Sequence, residues 1–218
     1  MDSKVLKIVT GISFLVFPVM LLAGFLMHPD ILSLEITGSV DALVANFRNQ
    51  RLFHLGHLLV FLAVPFIVFS LSSLATLKVA KGKIWLLSGW LAGTVGAVLL
   101  AGDKGALCMV LSAFDTIPDA DFQKIGPALE AILQRKGQLV VFYALPLLPI
   151  GAGMQLAGLM RAGLLKPFQG VAGIVGLLLL NNPDIELISS VGAVLMGFCY
   201  IPLGLLTLKG FPDGTKSE

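Results

Sequence analysis

Long apolar runs separated by short polar stretches dominate this sequence of 218 residues. A helix needs about 20 mainly apolar residues to cross the roughly 30 Å of hydrocarbon in a bilayer. The pattern therefore predicts six transmembrane helices, at residues 8–27, 55–77, 84–103, 139–160, 164–180 and 186–208. We expect the first run to be a retained membrane helix, because it is longer than the apolar core of a signal peptide and no cleavage site of small residues follows it.

Composition narrows the class of protein. Hydrophobic residues make up 56% of the chain and charged residues 13%, and the mean hydropathy is +0.93. Soluble domains have about 25% charged residues, so this chain has too few polar groups to cover a surface in water. A net charge of +2 also excludes the strong electrostatic attraction on which nucleic-acid binding depends. The sequence predicts an all-α polytopic membrane protein with one domain over residues 1–210, a short polar tail at 211–218, and the lipid bilayer as its partner.

The positions of the charged residues predict an orientation in the cell membrane. Lysine and arginine are enriched in cytoplasmic loops. If the N-terminus is cytoplasmic, nine of the fifteen basic residues lie on that side, and ten of the thirteen acidic residues lie at or beyond the outer end. We therefore expect both termini to be cytoplasmic. The nine basic residues are Lys4, Lys7, Lys78, Lys81, Lys83, Arg161, Lys166, Lys209 and Lys216.

Two segments outside the predicted spans have the apolar spacing of amphipathic helices. In residues 40–53 and in residues 119–136, apolar side chains recur three or four positions apart, so they share one helix face. We expect both helices on the outer side, where they lie in the membrane interface or cover the bundle. The two apolar faces consist of Val40, Leu43, Val44 and Phe47, and of Phe122, Ile125, Leu129, Ile132 and Leu133.

Small residues recur every four positions in two of the predicted spans. Stripes of this kind allow neighbouring helices to approach closely. We interpret both stripes as packing faces within one subunit. They consist of Gly89, Gly93, Ala97, Ala101 and Gly105 in the third span, and of Ser189, Ala193 and Gly197 in the sixth.

Polar side chains gather at the predicted outer end. Histidines stand where the first span ends and where the second begins, and an Asp-Lys pair lies about 28 Å along the third span. Ionisable residues at membrane depth are costly and are therefore candidates for function. The candidate ligand or vestibule residues are His28, His54, His57, Asp103, Lys104, Arg135, Asn182, Asp184 and Glu186.

Asp103 is either a structural charge that ties the third span to its neighbours or a functional group in the vestibule. Adjacent side chains on a helix point about 100° apart, so we do not expect Lys104 to be its natural partner. Arg135, Lys136 or a histidine is the expected partner. The apolar stretch also continues from Ile84 to Phe114, which is too long for one crossing. This helix therefore either protrudes beneath the outer helices or breaks near its glycines.

Three functions are compatible with these residues. The first is a non-enzymatic bundle whose outward-facing polar vestibule binds a small or lipophilic ligand or a partner subunit, which the lack of a recognisable catalytic motif favours. The second is a redox protein that holds haem or quinone near His28, His54 and His57. The third is a membrane-embedded metal-dependent hydrolase that uses these histidines with Asp103 or Asp184, because metal sites need such nitrogen and oxygen ligands.

Three short motifs resemble those of a known family. They are Arg51-Leu52-Phe53-His54-Leu55-Gly56, Leu164-Leu165-Lys166-Pro167-Phe168-Gln169-Gly170 and Pro202-Leu203-Gly204-Leu205. In these motifs and in its layout the chain resembles a family of small bacterial six-helix membrane proteins known only as a domain of unknown function. The resemblance implies a six-helix fold in the bacterial inner membrane. It implies no activity and no site residue.

Overall fold

The structure, a computed structural model, describes residues 3–34, 38–182 and 185–209. Asp184 and the predicted tail at 211–218 therefore lie outside the described residues. The described part of the chain contains helices and turns but no β-strand, which confirms the all-α class. Its helices are α1 (Ser3–Leu26), α2 (Val40–Phe47), α3 (Arg51–Ala75), α4 (Lys83–Phe114), α5 (Asp119–Phe122), α6 (Gly126–Leu133), α7 (Leu147–Arg161), α8 (Pro167–Leu179) and α9 (Glu186–Lys209), with 3-10 segments at Gln123–Ile125 and Gly137–Ala144.

Five helical stretches are long and apolar enough to cross a membrane: α1, α3, α4, α9 and the stretch Gly137–Arg161, which joins a 3-10 segment to α7. They are consistent with the predicted polytopic membrane bundle. Large apolar side chains cover its outside, as expected for contact with lipid; Leu91, Val98 and Leu178 are each more than 60% exposed. The fifth predicted span, 164–180, forms a shorter helix than expected. Its helix, α8, has 13 residues and is therefore about 20 Å long, less than the thickness of the hydrocarbon core.

Six helices form a closed ring. α1 packs against α3, α3 against α4, α4 against α7, α7 against α8 and α8 against α9, and α9 returns to pack against α1. His28, His57, Asp103 and Glu186 lie at one end of this ring, which we call the polar end. The opposite end, which we call the basic end, contains the α3–α4 and α7–α8 connections with Lys78, Lys81 and Arg161 among their basic residues.

Glycines set the closest helix contacts in the ring. A Cβ atom added to Gly151 of α7 would overlap the backbone nitrogen of Gly93 in α4. The predicted stripe of small residues in α4 is therefore confirmed as a packing face within the subunit. In α9 the close contact falls elsewhere in the helix: Gly192, rather than the predicted Gly197, approaches the backbone of α8. A helix turns about 100° per residue, so neighbouring small residues face different sides and a stripe alone does not identify the contact.

A buried glutamine ties three of the ring helices together. Gln155 of α7 is fully buried, and its Nε2 donates hydrogen bonds to the carbonyl oxygens of Leu71 in α3 and Leu86 in α4, at 2.9 and 3.0 Å. Hydrogen bonds between helices stabilise membrane bundles by about 1 kcal/mol each. The side chain of Gln155 therefore fixes the rotation of α7 relative to two neighbours.

α4 continues unbroken past the ring. Its 32 residues make it about 48 Å long, so of the two expected outcomes the protruding helix is confirmed and the break near the glycines is wrong. The protruding end supports a second apolar cluster formed by Leu43, Phe47, Phe53, Leu111 and Leu129. We call the part of the molecule around this cluster, with α2, α5 and α6, the cap.

The two predicted amphipathic helices are shorter than expected. The first ends at Phe47, because Arg48 is extended and Asn49 has a φ of 60°, which no α-helix contains. The second is divided into α5, a 3-10 segment and α6, which begins at Gly126 with Pro127 in its first turn. Proline suits the first turn of a helix but interrupts one that precedes it. Apolar periodicity alone therefore predicted the buried faces but not these boundaries.

Arg48 joins the cap to the end of α4. Its guanidinium donates hydrogen bonds to the carbonyl oxygens of Phe114, Asp115 and Ile117, at 2.6–3.1 Å. It also donates to the Asp119 carboxylate at 2.8 Å. The last carbonyls of a helix have no partner within it, so this one side chain completes the C-terminal end of α4.

We expect Gly151→Ala to weaken the fold, because the added methyl group forces α4 and α7 apart. Overpacking of this kind costs about 1–3 kcal/mol. Gly153→Ala is the matched control: it lies on the same helix, and a Cβ there would meet one side chain at 3.9 Å, an ordinary contact. Thermal unfolding in detergent should show a lower midpoint for the first variant and little change for the second. Equal midpoints would show that the α4–α7 contact does not limit stability.

Candidate functional site

The ring of helices encloses a chamber of about 580 Å³. Ligand pockets in proteins have volumes of about 300–1,000 Å³, so the chamber is large enough for a small molecule. Every ring helix contributes apolar side chains to its wall, among them Leu21, Val60, Leu100, Ala152, Leu177 and Met196. The chamber is therefore central to the fold and is not a groove between two helices.

The chamber is deep. Glu186 at the start of α9 and Tyr200 further along the same helix both line it, and fourteen helical residues correspond to about 21 Å. It therefore extends from the polar end well into the apolar part of the ring.

Two polar residues line the deep part of the chamber. Ser70 of α3 is 2% exposed, and its hydroxyl oxygen has no hydrogen-bond partner among the described residues. The ring of Tyr200 packs edge-on against Phe17, with ring centres 4.9 Å apart. Sequence reasoning missed both residues. A serine and a tyrosine within apolar runs could have indicated positions that line a cavity. Apolar periodicity, however, does not distinguish a helix face that lines a chamber from one that packs against a neighbouring helix.

A smaller polar pocket of about 180 Å³ adjoins the chamber at the polar end. Asp103, Lys104, Arg135 and Glu186 line both cavities, so the two are neighbours. We call this smaller cavity the polar pocket. Six of the residues predicted from the sequence line it together: His28, His57, Asp103, Lys104, Arg135 and Glu186. Asn182 lines the chamber but not the polar pocket, His54 lines neither, and Asp184 lies outside the described residues.

Asp103 lies between two cations on one side of the polar pocket. Its carboxylate oxygens are 3.7 Å from Lys104 Nζ and 3.9 Å from Arg135 Nη2. The expectation that Arg135 pairs with Asp103 is confirmed. The expectation that Lys104 does not was wrong, because the long lysine side chain is flexible enough to return to a neighbour whose Cβ points elsewhere.

Arg135 reaches the pocket from a strained turn. Its φ is 48°, in the left-handed region where glycine is the usual residue. The turn ends α6 in the Schellman pattern, with the Lys136 N–H donating to the Ala131 carbonyl at 2.9 Å. The guanidinium makes no hydrogen bond to any described residue. A non-glycine residue at such a position costs about 1 kcal/mol, and strain of this kind is often retained at functional sites.

His28 lies between two carboxylates on the other side of the pocket. Its Nδ1 is 3.3 Å from Asp30 Oδ1, and its Nε2 is 3.6 Å from Glu186 Oε1. The Asn46 amide donates to the second Asp30 oxygen at 3.0 Å. This polar chain links the end of α1 to α2 and to the first residue of α9. The helix dipole also favours a carboxylate at the position of Glu186.

The structure separates His57 from His54. His57 is buried beside the polar pocket, with its ring centre 5.1 Å from that of His28 and 4.3 Å from that of Phe53. His54 turns toward the cap, where its Nε2 is 3.5 Å from an oxygen of Asp115. Only two of the three histidines therefore share a cavity.

Asn182 has a structural position in the turn between α8 and α9. Its amide donates to the Leu179 carbonyl at 2.7 Å and to Ser189 Oγ at 2.8 Å, and its oxygen accepts from the Ile185 N–H at 2.5 Å. The Asn182 side chain therefore satisfies a carbonyl at the C-terminal end of α8 and a backbone N–H just before α9. The same residue presents part of its surface to the chamber.

The described side chains form no cluster with the composition of a metal site. Within residues 3–34, 38–182 and 185–209, no three or more His, Cys, Asp or Glu side chains come together in a way that could hold a metal ion. His28 and His57 are the histidines that face the polar pocket. The haem or quinone protein and the metal-dependent hydrolase stay predictions from the sequence.

The chain matches no protein-family model, no curated protein and no solved structure. The resemblance noted from its short motifs stays a prediction. Any function must therefore be argued from the cavities and the residues that line them.

We expect Asp103→Asn to reduce stability, because it removes the negative charge that lies between Lys104 and Arg135. Loss of one partner from a buried ion pair costs about 3 kcal/mol. Asp41→Asn is the matched control, since Asp41 is exposed on α2 and such surface changes stay within about 0.5 kcal/mol. Chemical unfolding in detergent measures both. An unchanged Asp103→Asn variant would show that Asp103 has no structural role.

Proposed function

We propose that this protein binds one amphiphilic, lipid-like molecule inside its helix ring. The polar head occupies the polar pocket and the apolar tail occupies the chamber. The observation that carries this proposal is the chamber itself: all six ring helices line it, its wall is mainly apolar, and its charged side chains lie at one end. Sites for small molecules combine these features, an apolar cavity with a few polar groups that fix the ligand's orientation.

The same proposal places the protein in the cell membrane with six crossings and both termini in the cytoplasm. The loops at the basic end support this orientation, because nine of the fifteen lysine and arginine residues belong to that side. The polar pocket then opens on the outer side. α8 is shorter than its neighbours, so in this arrangement the turn that follows it lies slightly below the outer membrane surface.

The proposal also accounts for the polarity of the deep chamber. Ser70 and Tyr200 are the polar side chains that line it far from the charged end. Both side chains are uncharged, so the deep chamber suits an apolar tail better than it suits an ion. Polar and charged groups at mid-membrane are typical of transporter sites, and the charged residues of this chamber lie at its polar end.

We expect labelling of cysteine variants to confirm the orientation. In a background with Cys108→Ala and Cys199→Ala, a membrane-impermeant maleimide should label Asp41→Cys in intact cells and should label Lys81→Cys only after the cells are opened. Both positions are exposed, so reactivity reports the side of the membrane. The reverse pattern would overturn the proposed orientation without affecting the chamber.

We expect Leu177→Trp to displace the bound molecule, because this buried side chain lines the chamber and the larger indole would fill it. Leu178→Trp is the matched control on the same helix, since Leu178 is 62% exposed on the outside. Lipids that remain with the purified protein can be counted by native mass spectrometry and by extraction. The native protein and the control should retain about one amphiphile per chain, and the chamber variant should retain about tenfold less, a loss of about 1.4 kcal/mol in binding. Equal retention by both variants, or no retained amphiphile in the native protein, would overturn the proposal.

A further inference from the structure

A tyrosine lies deep in the chamber, among apolar side chains. Tyr200 is 2% exposed, and its ring contacts those of Phe14 and Phe17, at centre-to-centre distances of 6.0 and 4.9 Å. A phenylalanine would make the same two ring contacts, and the chain contains 14 phenylalanines and 2 tyrosines. The packing of the ring therefore does not explain the hydroxyl group.

The Tyr200 hydroxyl has no hydrogen-bond partner among the described residues. Its oxygen is also not one of the side-chain atoms that the protein encloses and leaves without a partner. The hydroxyl therefore faces open space, and the open space that Tyr200 borders is the chamber. A buried tyrosine hydroxyl normally has a partner, because an unsatisfied buried donor is unfavourable. A group inside the chamber is the partner that this geometry allows.

Ser70 lies at a similar depth, but its hydroxyl oxygen is not open to the chamber. The hydroxyl oxygens of Thr10 in α1 and Ser73 in α3 are 3.0 Å apart. Phe14, one turn further along α1, contacts Tyr200, and Ser70 is one turn from Ser73 in the same direction, because α3 is antiparallel to α1. Protein atoms enclose the Ser70 oxygen. Of these two hydroxyls, that of Tyr200 is therefore the one that a bound molecule can reach.

An isolated water molecule is a poor partner for Tyr200. A buried water normally makes about three hydrogen bonds to polar groups. The chamber wall at this depth is mainly apolar, with Phe17, Ile67 and Met196 among its side chains, so such a water would lack its other partners. An oxygen carried on the bound molecule needs only the Tyr200 hydroxyl, and the rest of the tail fits the apolar wall.

The length of α9 between its polar residues sets the position of this oxygen in the ligand. Glu186, at the charged end, and Tyr200 are fourteen residues apart, which corresponds to about 21 Å. An extended palmitoyl chain has about this length. A tail that begins at the polar pocket therefore reaches Tyr200 with its last carbon atoms.

We propose that the Tyr200 hydroxyl forms a second polar binding point, which holds a neutral oxygen near the end of the ligand's tail. The ligand is then an amphiphile whose tail also ends in a polar group, such as a lipid with an ω-hydroxylated acyl chain. The Tyr200 hydroxyl both donates to such an oxygen and accepts from a hydroxyl there. The inference rests on the proposed function and adds the chemistry of the tail to it.

Competition between matched probes on the purified full chain in detergent tests the inference. One pair is palmitic acid and ω-hydroxypalmitic acid, and the other is their monoglycerol esters, so the outcome does not depend on a charged head. Native mass spectrometry measures how much of each member is bound from an equal mixture. We expect about a fivefold excess of the hydroxylated member, the factor that one added hydrogen bond gives. Equal binding, or an excess of the plain member, in both pairs would overturn the inference.

Tyr200→Phe removes the hydroxyl and keeps both ring contacts. The excess of the hydroxylated probe should disappear while the plain probe binds as before, a pattern that loss of folding cannot produce. Thr207→Val is the matched control on α9. It removes a buried hydroxyl that donates to the Leu203 carbonyl at 2.7 Å, and it should keep the excess. An excess that survives Tyr200→Phe, or that Thr207→Val removes equally, would overturn the assignment to Tyr200.

The comparison with Leu177→Trp separates this inference from the proposed function. If Leu177→Trp weakens binding of the probes but the native protein does not distinguish the members of either pair, the chamber binds amphiphiles and the second binding point is wrong. If no probe binds to the native protein, or if Leu177→Trp weakens none of them, the proposed function itself is wrong.

Discussion

Backbone contact at glycine residues is the constraint on which the ring depends. In a bilayer, apolar side chains gain nothing by leaving lipid for protein, so helices associate through close packing and interhelical hydrogen bonds. All six contacts around the ring include a glycine against a neighbouring helix. The facing pairs are Gly11 and Gly204, Gly24 and Gly56, Gly93 and Gly151, and Gly176 and Gly192, while Gly93 meets Leu71 and Gly173 meets Leu156 at the remaining two contacts.

The same constraint leaves the centre of the ring open. Six helices that contact their neighbours closely in a circle cannot all reach the central axis, and side chains of ordinary size do not fill the space between them. Gln155 then adds a polar tie between α7 and two neighbours. The ring is therefore held together at its perimeter, and the chamber follows from that arrangement without requiring any residue to keep it open.

Charge is distributed according to the cost of placing it in lipid. Asp103 and Glu186 are 6% and 7% exposed, yet both lie at the end of the ring and beside groups of opposite charge or a histidine. An unpaired charge in the middle of the membrane would be far more expensive. Arg135 combines a strained backbone with a partly buried guanidinium, which lies beside the Asp103 carboxylate and over the ring of Tyr143.

Much of the fold and part of the site could be predicted from the sequence, for identifiable reasons. Apolar runs of the right length predicted the membrane helices, and the scarcity of charge allowed six site residues, Asp103 and His28 among them, to be assigned to one end. The chamber could not be predicted, because a helix in lipid is apolar on every face and the pattern does not reveal which face lines a cavity. Arg48 was not recognised as the residue that completes α4, since its partners are backbone carbonyls and carry no sequence signal.

The shortness of α8 has a consequence for the surrounding membrane. Its 13 residues present about 20 Å of apolar length beside an α9 of 24 residues, which is about 36 Å long. If α8 crosses the bilayer as proposed, the lipids next to it must compress or tilt to match it, a hydrophobic mismatch that costs a fraction of a kcal/mol per ångström. Those lipids would lie beside the turn that contains Asn182, a residue that lines the chamber. On the proposed function, the thinned bilayer would therefore lower the cost of taking a lipid out of the annulus on this side of the ring.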